Sequence, residues 1–180
     1  MVTDPPYGMD YTGFGGRKGQ PRRDAGRLSI AADKDTGARD TALHLWGNKP
    51  ALVFGKWTQP RPTHVRQRLI WDKRPAGYMG DLTIPWGPVD EEIYVLGTGF
   101  VGKRDPNILS HAWMPGSSLD RPDHPTPKPV PLMEALIAKC PPGVIADPFA
   151  GSGSTLVAAK VLGRKAVSVE LEEKYAEIAA

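Results

Sequence analysis

The sequence predicts a single α/β domain with a mainly parallel sheet. In the last third of the chain, short apolar runs typical of strands alternate with segments of helical periodicity. Strands that alternate with helices are typical of parallel sheets covered by helices. A length of 180 residues suits one hydrophobic core.

The first 99 residues contain four strand candidates and one short helix. Residues 1–3 are predicted to end a strand that delivers Asp4 to an edge of the sheet. Residues 8–37 are rich in Gly, Arg, Lys and Asp and predict a long loop. A helix is predicted over 40–46, and the apolar runs that predict the remaining strands are 51–54, 68–72 and 92–96.

The rest of the chain predicts a connector followed by three helices and two strands. Many prolines and few periodic apolar positions indicate a connecting segment over 100–127. Helices are predicted over 129–139, 154–162 and 172–179, with strands over 144–146 and 166–169. The residues expected on or near the buried face of the 154–162 helix are Leu156, Val157, Val161 and Leu162.

Composition limits the classes of function. The single cysteine, Cys140, cannot form an internal disulfide and is expected to fill space near a helix end, and the four scattered histidines predict no metal site. No signal peptide and no bilayer-length apolar run are visible, which predicts a soluble, cytoplasmic protein without a membrane partner. A cluster of basic residues is interpreted as either a phosphate-contacting nucleic-acid site or a solvated loop; it comprises Arg17, Lys18, Arg22, Arg23 and Arg27.

A glycine-rich loop lies between a predicted strand and a predicted helix. Gly151 and Gly153 allow the backbone to approach a ligand, and the next helix offers free N–H groups. Glu170 follows about 20 residues later, at the end of the next strand, where an acid can accept hydrogen bonds from a ribose diol. No P-loop lysine is present, and Leu156 replaces the third glycine of a dinucleotide fingerprint. The alternative is a loop that only packs a helix on a strand.

The segment Asp4-Pro5-Pro6-Tyr7 has the chemistry to hold an exocyclic amino group. The Asp4 carboxylate and the Pro5 carbonyl can accept the two amino hydrogens, and proline restricts the direction of that carbonyl. The Tyr7 ring can stack on a nucleic-acid base, which contributes roughly 1–3 kcal/mol of binding free energy. The alternative is a surface turn. Because ligands bind at the carboxyl ends of parallel strands, we expect the strands before Asp4 and Asp147 to be neighbours.

Three segments together resemble the beta-type, circularly permuted group of DNA adenine-N6 and cytosine-N4 amino-methyltransferases. They are the tetrapeptide at 4–7, the string His124-Pro125-Thr126-Pro127-Lys128-Pro129 and the loop at 147–155. Segments 52–57, 69–73 and 91–96 are also similar to strands of that family, so the resemblance covers most of the chain. It implies a Rossmann-like, S-adenosylmethionine-dependent methyltransferase fold in one domain, 1–180. The catalytic half would be 1–99, the connector 100–127, with a reduced or absent target-recognition region, and the cofactor half 128–180.

The resemblance also assigns site residues. The catalytic group would be Asp4, Pro5, Pro6 and Tyr7. Lys128 is expected to pair with the cofactor carboxylate. The cofactor-binding group would be Thr126, Lys128, Asp147, Pro148, Phe149, Gly151, Ser152, Gly153, Thr155 and Glu170.

An aspartate at the first position of the tetrapeptide favours adenine N6 over cytosine N4. DNA is the implied partner, with a base flipped out of the duplex. A role in restriction–modification follows from the resemblance, and the small size is reminiscent of phage-encoded enzymes.

Two features depart from the family pattern. Only three residues precede Asp4, which indicates a truncated or impaired N-terminus, and the stretch between Leu96 and His124 is too short for a full target-recognition domain. Specificity is therefore expected to be low, or to come from residues 8–37, a second subunit of a homodimer or a separate partner. The alternatives are a cytosine-N4 or RNA amino-methyltransferase and a degenerate, non-catalytic nucleic-acid-binding subunit. The missing third glycine argues against a dehydrogenase.

Overall fold

A five-stranded sheet with the strand order β1-β2-β4-β3-β5 organises the first part of the chain. The structure, a computed structural model, describes residues 1–9, 32–75, 83–112 and 127–179. Strand β4 is antiparallel to both of its neighbours, and the other four strands share one direction, so the sheet is mainly parallel as predicted. The strands are β1 (Val2–Thr3), β2 (Ala51–Gly55), β3 (Gln67–Asp72), β4 (Asp90–Leu96) and β5 (Ile108–Ser110).

A second, parallel ladder joins β6 (Ile145–Asp147) to β7 (Ala166–Ser168). Strand β6 lies against β1, so the strands that precede Asp4 and the glycine loop are neighbours, which confirms the prediction. The helices are α1 (Gly37–Trp46), α2 (Val130–Ile137), α3 (Ser154–Val161) and α4 (Glu173–Ala179). In the described parts of the chain, none of these helices could cross a membrane.

The two faces of the sheet are buried by different helices. Side chains alternate between faces along a strand, and α2 and α3 pack over one set. Phe54 and Trp71 meet edge-to-face in this larger core, with ring centroids 6.3 Å apart. On the opposite face, Leu43 and Trp46 of α1 pack against a smaller cluster made by Met1, Ala51 and Val53. Strand β2 is therefore buried on both faces, whereas β3 and β4 begin with exposed residues.

Two predictions about the second half differ from the structure. Helix α3 was expected to bury large apolar residues, but it buries Thr155, Ala158 and Ala159, while Val157, Val161 and Leu162 are exposed. Small side chains let α3 approach α2 closely, and this tertiary requirement outweighs the hydrophobicity of the larger residues. The predicted connector also contains β5, which pairs in parallel with β3.

Some predictions lie outside the described residues. These are the basic cluster Arg17, Lys18, Arg22, Arg23 and Arg27 and the cofactor candidate Thr126.

Candidate active site

The carboxyl ends of the parallel strands meet at one edge of the molecule, where α/β proteins bind ligands. Asp4 follows β1, and Asp147 ends the neighbouring strand β6. Antiparallel β4 begins at this edge, so its first residues belong to the same surface. Glu91 of β4 pairs in register with Trp71 of β3. The edge therefore collects acidic side chains from distant parts of the chain.

The carboxylate of Asp4 is held by one donor on each oxygen. The Tyr7 hydroxyl donates to Asp4 Oδ1 at 2.6 Å. The Lys128 ammonium lies 2.6 Å from Asp4 Oδ2. Each carboxylate oxygen has two lone pairs, so each can still accept one further hydrogen bond. Asp4 is 24% exposed at its side chain and is therefore accessible to a ligand.

Glu91 completes this cluster from the β4 side. Its Oε2 atom lies 3.0 Å from the Tyr7 hydroxyl and 3.2 Å from Lys128 Nζ. Its Oε1 atom pairs with Lys73 Nζ at 2.6 Å. Asp4 and Glu91 carry two negative charges, and Lys73 and Lys128 carry two positive charges, so the formal charges balance. We call these five residues, with Tyr7 at the centre, the Asp4–Glu91 cluster.

The pKa shifts in this cluster follow from burial and charge. Burial, together with the charges of Asp4 and Glu91, raises the pKa of Tyr7 well above its usual range, so the phenol stays protonated. Burial acts to lower the pKa of Lys128, but Asp4 and Glu91 outweigh it and raise the pKa. Burial also acts to raise the pKa of Glu91, but Lys128 and Lys73 outweigh it and lower the pKa. The ionised forms of both partners are thus favoured.

A second buried carboxylate, Asp147, ties β6 to β1. Thr3 Oγ1 donates to Asp147 Oδ1 at 2.6 Å, and the Phe149 N–H donates to the same oxygen at 3.1 Å. Burial raises the pKa of Asp147, while hydrogen bonds from Thr155, Thr3 and Phe149 offset part of that effect. Asp147 therefore shapes the start of the glycine loop from inside the protein.

The glycine loop and the predicted ribose-binding acid lie next to each other. Gly151 and Gly153 have φ angles of 50° and 79°, in the left-handed region that favours glycine. Glu170 follows β7, and its Oε2 atom accepts the Gly151 N–H at 2.7 Å. Its Oε1 atom accepts the N–H groups of Leu171 and Glu172 at 2.8 and 3.0 Å. Glu170 therefore braces the loop and also presents a carboxylate beside it.

The structure gives two predicted residues partners that the sequence did not indicate. Three oxygens lie within 3.3 Å of Lys128 Nζ, one each from Asp4, Glu91 and Tyr7. The Tyr7 hydroxyl is bound inside the protein, which orients the ring that was expected to stack on a base.

Sequence reasoning did not single out Glu91, Lys73, Thr3 or Asp33 as site residues. Asp33 accepts the Gly8 N–H at 2.7 Å and so holds the chain directly after the tetrapeptide. For Glu91, one signal was available: it directly precedes the predicted strand 92–96. The structure shows that this strand is antiparallel to its neighbours and therefore begins at this edge. The partners of Glu91, however, are distant in sequence.

Comparison with known proteins places this geometry in context. Residues 102–180 match the family model described as DNA methylase. The type II methyltransferase M.ScaI of Streptomyces caespitosus is 45% identical over 65 residues, which are 35% of this chain and 21% of that protein. Matched segments span 21–29% of the lengths of the curated relatives.

Two solved structures share the fold. The PvuII DNA methyltransferase, described as cytosine-N4-specific, superimposes with a TM-score of 0.63 at 15% identity, over 99% of this chain and 77% of that chain. The M1.HpyAVI–SAM complex has a TM-score of 0.55 at 21% identity and covers 73% of each chain. The segment 102–180 thus matches the family model described as DNA methylase, and the chain as a whole shares the fold of these two solved structures.

Proposed function

We propose that this protein transfers a methyl group from S-adenosylmethionine to an exocyclic amino group in DNA. One observation carries the proposal: Asp4 and the glycine loop lie at the ends of neighbouring strands, which the Thr3–Asp147 hydrogen bond joins. A ligand at the loop and a base at Asp4 would therefore share one crevice. In the proposed domain, residues 1–99 form the catalytic half and residues 128–180 the cofactor half, with 100–127 between them.

The residues around the glycine loop are suited to the adenosine end of this cofactor. The left-handed Gly151 lets a ligand approach the backbone closely, and the Glu170 carboxylate, which already accepts three N–H groups, can accept one further hydrogen bond from a ribose hydroxyl. The contact between Lys128 and the cofactor carboxylate stays a prediction, and three oxygens of the protein already lie within 3.3 Å of this ammonium. The proposed cofactor-binding residues are Asp147, Pro148, Phe149, Gly151, Ser152, Gly153, Thr155 and Glu170.

The protein residues act on the target amino group. The bound cofactor supplies an electrophilic methyl group on sulfur. Asp4 accepts one amino hydrogen through a free lone pair, and the Pro5 carbonyl accepts the other, which favours a pyramidal nitrogen with its lone pair available. Asp4 is also placed to take the proton that the nitrogen loses. Tyr7 stays protonated, because burial and two carboxylates raise its pKa, and it therefore anchors Asp4 and does not act as a base. Pro6 restricts the backbone between them.

Adenine N6 is the proposed target, because aspartate rather than serine occupies the first position of the tetrapeptide. DNA is the proposed partner, and the expected location is the bacterial cytoplasm, where DNA and cofactor are both present. Specificity would then come from residues 8–37, a second subunit or a partner protein, since base contacts rather than phosphate contacts specify sequence.

The test is incubation of the protein with labelled S-adenosylmethionine and unmethylated genomic DNA, followed by nucleoside mass spectrometry. We expect N6-methyladenine, and we expect no product with Asp4→Ala. N4-methylcytosine would reassign the base and leave the reaction class intact. Absence of any methylated nucleoside, with cofactor binding present by calorimetry, would contradict the proposed activity and favour a non-catalytic subunit.

A further inference from the structure

Among the described residues, Glu91 contacts both side chains that hold the Asp4 carboxylate, Tyr7 and Lys128. Its Oε2 atom shares the single Tyr7 hydroxyl hydrogen with Asp4 Oδ1, at the longer distance of 3.0 Å, and lies 3.2 Å from Lys128 Nζ. Building on the function proposed above, we propose that Glu91 is a positioning residue for methyl transfer. It anchors Tyr7 and Lys128, and these two groups set the orientation of the Asp4 carboxylate toward the target amino group.

Tyr7 and Lys128 restrict the rotation of the Asp4 carboxylate. The carboxylate of Asp4 can rotate about its side-chain bonds, and a small rotation would turn its free lone pairs away from a bound base. Tyr7 and Lys128 prevent this, with donor–acceptor distances of 2.6 Å to separate oxygens. These donors need a fixed point of their own. Glu91 provides it from β4, a central strand of the sheet.

Glu91 also shares the positive charge of Lys128 with Asp4. Lys128 is 6% exposed at its side chain, and a buried ammonium with one carboxylate would be drawn onto that carboxylate alone. Glu91 divides the attraction, since it lies 3.2 Å from the same ammonium. Lys73, which is 22% exposed, in turn offsets the charge of Glu91 from the solvent side. The lysine therefore lies between two carboxylates, and Asp4 keeps accepting capacity for a substrate.

The neighbouring residue Glu92 provides a matched comparison. Successive residues of a strand face opposite sides of the sheet, so Glu92 points away from the Asp4–Glu91 cluster. It is buried and pairs with Arg61 and Arg68, each at 3.0 Å, and it accepts a hydrogen bond from Tyr94. The partly buried Glu91 and the buried Glu92 are thus two ion-paired glutamates on one strand, of which Glu91 reaches the tetrapeptide.

The experiment compares Glu91→Gln, Glu91→Asp and Glu92→Gln with the wild type. For both Glu91 variants we expect kcat for DNA methylation to fall about 100-fold, as for misplacement of a reacting group by about 1 Å. Binding of S-adenosylhomocysteine, measured by calorimetry, should be unchanged. Glu91→Asp keeps the charge and shortens the side chain. A lower kcat in this variant would therefore show that the position of the carboxylate matters, and not only its charge. Glu92→Gln should keep the wild-type kcat.

A readout that needs no activity tests the contacts directly. The Tyr7 ¹³Cζ resonance, assigned with Tyr7→Phe, reports hydrogen bonding of the hydroxyl. It should move in Glu91→Gln and stay in place in Glu92→Gln. Wild-type kcat in both Glu91 variants, or an unmoved Tyr7 resonance in Glu91→Gln, would overturn the proposal. If the wild type methylates no DNA, the proposed function fails, while the Tyr7 resonance still decides whether Glu91 anchors the tetrapeptide.

Discussion

Thr3 Oγ1 lies 2.6 Å from Asp147 Oδ1, although 144 positions separate the two residues in the chain. Thr3 ends β1 and directly precedes Asp4, and Asp147 ends β6 and directly precedes the glycine loop. A buried hydrogen bond therefore joins the residue before the tetrapeptide to the start of the glycine loop. The functional edge depends on this pairing of strand ends.

Removal of the Asp4 carboxylate should abolish methylation and leave cofactor binding intact. Asp4→Ala removes the proposed acceptor for the target amino group, so we expect kcat to fall by at least roughly 100–1,000-fold. Binding of S-adenosylhomocysteine, measured by calorimetry, should change little. Asp72→Asn is the matched control, because Asp72 ends β3 at the same edge of the sheet but pairs with Arg74. Equal loss of binding and activity in Asp4→Ala would contradict the assigned role.

Changes in and beside the glycine loop should weaken cofactor binding, in contrast to Asp4→Ala. Gly151→Ala places a side chain at φ 50°, which costs about 1–2 kcal/mol, and Glu170→Gln weakens the brace on the Gly151 N–H. We expect each change to weaken S-adenosylhomocysteine binding roughly tenfold, or about 1.4 kcal/mol. Gly163→Ala carries similar strain at φ 63°, at the other end of α3, with open space around the new Cβ. If Gly163→Ala weakened binding as much, the effect would come from general destabilisation.

The stability of the protein should fall with rising pH through Asp147. Burial raises the pKa of this carboxyl above 3.8, so the folded state binds more protons than the unfolded state between those two pKa values. The ionised carboxylate is therefore unfavourable near neutral pH. Asp147→Asn keeps an oxygen acceptor for Thr3 and Phe149, and it should raise Tm relative to the wild type near pH 7. That difference should shrink near pH 3.

Asp72→Asn should shift Tm in the opposite direction from Asp147→Asn in the same thermal melts. Hydrogen bonds from Arg74 lower the pKa of Asp72 to about 2. Its contribution is therefore present above the unfolded pKa of 3.8 and is lost as pH falls through about 2. Asp72→Asn should lower Tm at neutral pH by a small amount, because the Arg74 partner is solvent-exposed. The Asp147 interpretation is wrong if both variants shift Tm in the same direction.

Loss of Lys128 should destabilise the fold in a pH-dependent manner. Lys128→Met removes a buried ammonium from between the partly buried Asp4 and Glu91, which should cost up to about 3–5 kcal/mol of unfolding free energy at pH 7. Acid should reverse part of this loss, because protonation removes the repulsion between the two carboxylates. Urea denaturation at neutral and acidic pH measures both effects.

The control for this variant is Lys139→Met. Lys139 pairs with Asp105 at 2.6 Å on the surface, where both side chains are substantially exposed. We expect a cost below about 1 kcal/mol that varies little with pH. A similar cost for Lys128→Met would show that the buried cluster contributes no more than a surface pair.

Local patterns predicted most elements of this protein. Apolar runs marked β2, β3 and β4, and proline and glycine at the boundaries marked α2 and α3. Strand β5 was not predicted, because Ile108–Ser110 is a three-residue segment whose pairing with β3 is tertiary. The prediction of which α3 residues are buried was wrong for a related reason. Close packing against α2 favours the small alanines over the more hydrophobic valines.

By itself, the sequence determined which chemical groups the two functional segments contain and that they follow predicted strands. Motif chemistry is local, so Asp4, Tyr7, Gly151 and Glu170 could be identified from short stretches. The tertiary structure alone decided which groups touch: Lys128 pairs with Asp4 and Glu91, and Glu91 reaches Tyr7 across 84 positions. Such contacts depend on strand order and on the compensation of buried charge. Neither leaves a pattern in neighbouring residues, because the partners meet only after the sheet has formed.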